Sequence, residues 1–461
     1  MSRRPATFGS TQYICFCNEF ERTLNHNPAA SSSSLYRGRG AASNRRKARP
    51  MSLSPQVIAM GLATPGPSED AIQMLSDHAQ RPEENPVHGG PGGVGEQFGG
   101  PRDRKDYRSA VENFIGTVQV PVGLTAPLRI RGRFANGAYH IPLATTEATL
   151  VASYSRGAKA INEAGGCVAA LLDESIGRAP GFIFNDLHEA CLFGDWATAH
   201  VADIREAAES TTSHGRLIDL EATVEGNHVY LHLSFVTGKA AGQNMVTIAT
   251  EAVLAFIEKA APVRPLRAFV EGNGSGDKKA CMRSFTSVRG KRVCAEVVLP
   301  AVVVEERLRV TSEQLAEFWR LSVLGSVLSG AVGLQGHFAN GLAALYIACG
   351  QDAACVAESA TGVTRMEVTA DGDLYAAVTL PNLIVGTVGG GTGLPGQRAC
   401  LDIMGLAGPD SARALAEICG GLCLAGELSL GAAVCAGHFT RAHRLLGRRE
   451  TRQSARHCNG N

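Results

Sequence analysis

Apolar residues recur at three- and four-residue intervals along 148–163, 312–332, 341–348 and 413–443, and this spacing predicts helices. Along 118–122, 229–235, 293–299 and 374–379, β-branched and aromatic residues alternate with others, which predicts strands. The mixture points to an α+β or α/β fold. Between about 180 and 270 the order changes to helix, strand, strand, helix, closing on an amphipathic helix over 245–259. That change predicts a small unit, 181–270, inserted into a larger one made of 106–180 and 271–447. No internal repeat is evident, which sets aside solenoids and propellers.

Outside this periodic region the composition shifts. Residues 1–105 hold a serine run at 31–34, the cluster Arg45, Arg46 and Lys47, and Gly/Pro-rich sequence over 89–101. These predict a disordered N-terminal segment, and 448–461 predicts a flexible tail. Arginine and serine at the N-terminus fit a transit peptide, whereas Glu19 and Glu21 do not.

Over all 461 residues, 44% are hydrophobic and 19% charged, an ordinary globular balance with room for a sizeable core. The net charge of +1 leaves no whole-molecule field for nucleic acid or an anionic membrane, so an anionic ligand must be met locally. Thirteen cysteines, odd in number and mostly in apolar runs such as Cys349 and Cys355, predict reduced packing residues in a reducing compartment. Two apolar stretches, 321–334 and 425–439, fail as membrane spans: the first is short, and the second contains Glu427. The expectation is a soluble chain.

Four segments carry candidate chemistry. Glu147, in Thr145-Thr-Glu147, stands at the start of an otherwise small and apolar helix. It reads either as a proton donor with a pKa raised by burial or as a charge favoured at a helix N-terminus. Asp277-Lys278-Lys279 follows the glycine-rich Glu271-Gly-Asn-Gly-Ser-Gly276. A lysine there stabilises the charge that develops on a carbonyl oxygen during hydride attack, or else belongs to a solvated turn. Asp352, in Gly350-Gln-Asp352, follows an apolar helix, where burial would demand a cationic partner, and Lys278 is the natural one. His438 suits a general acid that protonates a leaving thiolate, or is a structural histidine.

Cys419, Cys423, Cys435 and His438 offer metal-type donors at short spacings, but all four fall within one expected helix, which cannot wrap around an ion. No metal is expected. Gly391 to Gly396 matches the dinucleotide fingerprint formally, yet Pro395 interrupts it and the alternating βαβ pattern is missing, so a ligand-admitting glycine loop remains and a Rossmann unit does not. The turn from Thr237 to Met245 places glycines before a helix and suits a phosphate, or is a plain loop.

In order along the chain, Glu112-Asn-Phe-Ile-Gly116 with Pro121-Val-Gly123, Thr145-Thr-Glu147, Asp277-Lys-Lys279, Gly350-Gln-Asp352, Gly386-Thr-Val-Gly-Gly-Gly-Thr392 and Leu424-Ala-Gly-Glu-Leu-Ser429 with His438 resemble the 3-hydroxy-3-methylglutaryl-coenzyme A (HMG-CoA) reductase family over about 108–447. The resemblance implies an α+β fold: a large domain around a long central helix, with a small ferredoxin-like cofactor domain inserted. It implies a two-step reduction by NADPH of the thioester to mevalonate and free coenzyme A, in isoprenoid precursor synthesis. By the same resemblance, Lys278 stabilises the oxyanion, Glu147 delivers a proton, Asp352 tunes both, and His438 protonates the departing thiolate.

The resemblance further implies that Arg178, Asn273, Lys279 and Asn340 bind the acyl part, and that Glu112, Ser153, Arg156 and His337 lie along coenzyme A. Thr212, Ser213, Lys239, Gly242, Asn244, Met245, Gly389 and Gly390 would bind NADPH. A cytoplasmic homodimer or tetramer, with active sites between subunits, is also implied. Three residues depart from the family pattern: Lys239 replaces an Asp in the cofactor turn, Glu271 a Ser near the substrate, and Leu321 a Lys. Two rival readings are a reductase-like protein without turnover and an unrelated nicotinamide dehydrogenase, the latter requiring a doubly wound parallel sheet.

Overall fold

A computed structural model describes residues 107, 110–112 and 117–437 of the chain. The expected N-terminal segment, the C-terminal tail, His438 and His443 therefore lie outside the described residues.

Four short strands open the fold: β1 Val122–Leu124, β2 Leu128–Gly132, β3 Asn136–Tyr139 and β4 Pro142–Ala144. The strand expected over 118–122 does not form, because Pro121 lacks a donor and Val118, 92% exposed, faces no core. Helix α1, Leu150–Glu163, then leads into the long β5, Cys167–Arg178. Strand β10, Gly290–Leu299, pairs with the body of β5 and with β12, Leu374–Leu383, which also holds β11, Val363–Val368. The large sheet thus runs β11-β12-β10-β5-β2-β3, and only the β2–β5 pairing is parallel.

Beyond Ser175, β5 leaves this sheet, and Ile176 to Arg178 pair with Phe235 to Leu233 of β8, His228–Val236. A second, antiparallel sheet has the order β7-β8-β6-β9, with β6 Gly181–Ile183, β7 Arg216–Glu225 and β9 Arg267–Phe269. Helices α2, Leu187–Ala199, and α3, Val201–Glu209, join β6 to β7, while α4, Gln243–Ala260, joins β8 to β9. The sequence pattern missed β6 and β9. Each has three residues, too few for alternation to register.

Helices α5 Ser312–Ser329, α6 Phe338–Ala348, α7 Pro395–Ile403 and α8 Ser411–Cys435 complete the large unit. Thr311 and Gln314 close a reciprocal cap on α5. α8 is mostly apolar and is buried against α1, α5, α6 and strands β2, β5, β10 and β12. Among the described residues it alone is long and apolar enough to cross a membrane, yet most of it lies inside the protein. It stops before the expected 443 because Gly437, at φ +64°, turns the chain out of the helix.

Candidate active site

The loop before β10 presents Lys278 in the left-handed region, at φ +57°. That conformation is disfavoured for a residue with a β-carbon, so surrounding contacts must hold it. The Lys278 ammonium lies 2.9 Å from Oδ2 of Asp352. This hydrogen bond raises the Lys278 pKa, offsetting partial burial. For Asp352, burial pushes the carboxyl up, but the Lys278 ammonium and the Ala354 N–H together hold it below its ordinary value. Both groups stay charged near neutrality and face outward, with side-chain exposures of 44% and 41%. Asp352 is thus less buried than its apolar approach suggests. α6 ends at Ala348, and Asp352 caps the next helical turn through a 3.0 Å bond from Ala354 N–H.

Asp277 lies deeper. Its two oxygens accept from Arg178 at 3.0 Å and Arg289 at 2.8 Å. Arg178, at the end of β5, also donates to Thr247 Oγ1 at 2.8 Å and meets Glu271 at 3.5 Å. Glu271 therefore sets a second carboxylate against the arginine expected to receive substrate. Lys279 is exposed and donates to the Asp277 carbonyl at 2.9 Å, while Asn273 is exposed at φ +67°.

Glu147 stands three residues ahead of α1, which begins at Leu150, and is exposed rather than buried. The left-handed Thr149, at φ +82°, separates it from the helix. It accepts from Asn340 Nδ2 at 3.4 Å, and within this chain no hydrogen bond joins it to Lys278 or Asp352. Ser153 and Arg156, on one face of α1, both reach Ser429 of α8, at 2.8 Å and 3.1 Å. His337 Nδ1 lies 2.9 Å from Glu427, which also accepts from Gly336 N–H, His337 N–H and Thr364 Oγ1. Glu112 lies in an exposed turn.

The residues expected to bind NADPH fall on three neighbouring segments, 212–213, 239–245 and 389–390. Gly242, at φ +88°, caps the N-terminus of α4 in a conformation that glycine adopts freely. Lys239 is exposed, and its carbonyl accepts from Thr387 N–H at 2.9 Å, so the turn and the glycine loop run side by side. A β-carbon on Gly386 would stand 2.4 Å from Ala241 N, and Gln351 clamps Gly386 from the other side with bonds of 2.8 and 2.9 Å. Met245 packs near Gly215, which brings the Thr212–Ser213 turn to the same region. Asn244, Gly389 and Gly390 are exposed, and a β-carbon at either glycine would meet open space. Glycine amides at the N-terminus of α4, hydroxyls and a free-standing lysine fit a phosphorylated cofactor. Cys419 and Cys423 are buried in α8, where burial raises their thiols, Cys419 to about 12.

The family model for hydroxymethylglutaryl-coenzyme A reductase matches residues 96–448. The chain belongs to that family. The 3-hydroxy-3-methylglutaryl-coenzyme A reductase of Pyrococcus horikoshii is 45% identical over 346 residues, covering 73% of this chain and 83% of its own. That of Methanocaldococcus jannaschii is 43% identical over 343 residues, covering 73% and 84%. Among solved structures, the class II enzyme of Streptococcus pneumoniae bound to NADPH shares the fold at a TM-score of 0.59 and 20% identity, covering 72% of this chain and 89% of that one.

Within this reductase-family frame, several residues around the site escaped sequence reasoning. Arg289 and Glu358 are buried charges beneath Lys278, and Gln243 donates to Asp352 Oδ2 at 3.5 Å and Cys355 Sγ at 2.9 Å. Glu427 was given no role of its own, entering only as an obstacle to membrane insertion and as part of the Leu424–Ser429 motif. Its place in an apolar run was the one signal that it needed partners.

Proposed function

We propose that the chain is an HMG-CoA reductase that reduces the thioester in two steps to mevalonate and free coenzyme A. The observation that carries the reading is the Lys278–Asp352 ion pair, set on a glycine-rich loop and open to a ligand. Hydride, once for the thioester and once for the resulting aldehyde, is the chemistry NADPH supplies when bound. Lys278 offers a fixed cation to the oxygen that gains charge at each reduction. Asp352 keeps that lysine protonated. Glu147 donates the proton that neutralises the oxygen, and His438, beyond the described residues, protonates the coenzyme A thiolate as the C–S bond breaks.

Arg178, Asn273, Lys279 and Asn340 hold the acyl group, and Glu112, Ser153, Arg156 and His337 line the coenzyme A side. NADPH is held by Thr212, Ser213, Lys239, Gly242, Asn244, Met245, Gly389 and Gly390. The inserted unit, 181–270, is read as a ferredoxin-like cofactor domain. Its β-αα-β-β-α-β order and antiparallel β7-β8-β6-β9 sheet support that. The active site is completed between subunits of a cytoplasmic homo-oligomer. Glu147, Lys278 and Asp352 all open outward in one chain, and α5 exposes Leu321, Leu324, Val327 and Leu328 along its surface.

The deciding experiment incubates the purified chain with HMG-CoA and NADPH and follows both absorbance of the reduced cofactor and free thiol. Two cofactor molecules consumed per thiol released is the expected result. Cofactor oxidation without thiol release rules the reading out.

A further inference from the structure

Two acidic residues, six positions apart, hold Lys278 at different points. Asp352 meets its ammonium at 2.9 Å, and Glu358 accepts its backbone N–H at 3.1 Å. Both carboxylates belong to one short stretch, the helical turns Ala353–Cys355 and Val356–Ser359 with the Asp352 cap before them. The same segment therefore fixes the start and the end of the lysine side chain.

Glu358 has 0% exposure, so its charge demands compensation. Arg289, 4% exposed, supplies it by pairing with the other carboxylate oxygen. Arg289 also reaches Asp277, the residue immediately before Lys278, at 2.8 Å. Its backbone N–H is taken by Asn382 of β12 at 3.0 Å, which anchors it to the large sheet. Asp277 through its side chain and Lys278 through its backbone are thus pinned to one buried ion pair. That pair sits where the chain adopts φ +57°, a conformation a lysine leaves unless it is held.

We propose that Glu358 is a positioning residue for Lys278, its buried carboxylate locking the left-handed backbone from which the ammonium is aimed at Asp352 and the substrate oxygen. The proposal rests on the assignment of Lys278 to oxyanion stabilisation. A lysine with four rotatable bonds keeps a catalytic geometry only if its root is fixed, and small displacements cost rate steeply.

Two double variants isolate the Lys278 N–H acceptor. Glu358→Gln/Arg289→Met keeps a carbonyl oxygen for that N–H, whereas Glu358→Leu/Arg289→Met removes it; neither leaves an unpaired charge, and both lose the Asp277 contact. The expected result is a kcat at least tenfold lower in the leucine variant, with KM for HMG-CoA and NADPH within threefold and similar melting temperatures. Equal kcat values, within twofold, overturn the proposal. Glu358→Asp retains the Arg289 pair but falls a methylene short of Lys278, and serves if the leucine variant does not fold. It loses at least tenfold in kcat if the proposal holds, and a loss under twofold overturns it. Lys278→Ala separates the two levels: normal turnover there ends the catalytic reading, whereas an inactive Lys278→Ala beside fully active Glu358 variants ends only the positioning role.

Discussion

Gly157 of α1 and Ala425 of α8 approach so closely that a β-carbon on Gly157 would lie 1.9 Å from the Ala425 carbonyl oxygen. Both sides of this contact are backbone, so neither yields by changing rotamer. Forced overpacking of a tight core costs about 1–3 kcal/mol, and Gly157→Ala should lower the urea midpoint accordingly. An unchanged midpoint would show that the two helices separate freely.

Lys278→Ala removes the cation that pairs with Asp352 in the candidate site. Loss of a single oxyanion donor lowers kcat by about 10²–10³, and that is the expected drop. KM for NADPH should stay within about twofold, since Lys278 lies on the loop before β10 and not in the turn around Lys239. Steady-state kinetics on the purified variant measures both.

Stability should depend on pH through Glu427. Burial pushes its carboxyl up, but the His337 contact and the Thr364 and backbone donors prevail and hold it below its ordinary 4.5. A carboxylate with a depressed folded pKa favours the native state above the unfolded value, and the advantage fades as pH falls through the folded value. Glu427→Gln should therefore be less stable than the parent at pH 7, by about 1–3 kcal/mol, and the gap should narrow steadily below about pH 4.5. Denaturant titrations from pH 7 to pH 3 read this directly. A gap that widened with acid would reverse the assignment.

Lys239→Asp tests the cofactor turn. If the ammonium pairs with the 2′-phosphate of NADPH, a charge-assisted contact, the preference for NADPH over NADH should fall by about tenfold or more. The ratio of kcat/KM for the two cofactors, compared between parent and variant, is the measurement. An unchanged ratio would remove Lys239 from cofactor selection.

Much of this architecture was legible in the chain. Alternation located β8 almost to its ends because Val229, Leu231, Leu233 and Phe235 all face one core. Lys278 and Asp352 were paired correctly because a carboxylate beyond an apolar helix calls for a cation. Burial was one of two readings for Glu147, both of which set it at the start of α1, and the left-handed Thr149 that ejects it gives no sequence signal. Arg289 and Glu358 stayed hidden for a different reason. Their pairing joins the start of β10 to a turn 69 residues away, a distance no local period reports.

β5 belongs to both sheets, giving Cys167 to Ser175 to the large one and Ile176 to Arg178 to the small one. Residues 181–270 are therefore not a cassette. Excising 181–270 would strip β8 from the end of β5 and leave the Arg178 backbone without its ladder partner. Swapping in a relative's unit would demand that its β8 equivalent match this strand residue for residue. Recombination between family members should succeed only when the crossover carries β5 and β8 together, which makes this strand pair the unit of inheritance for both sheets.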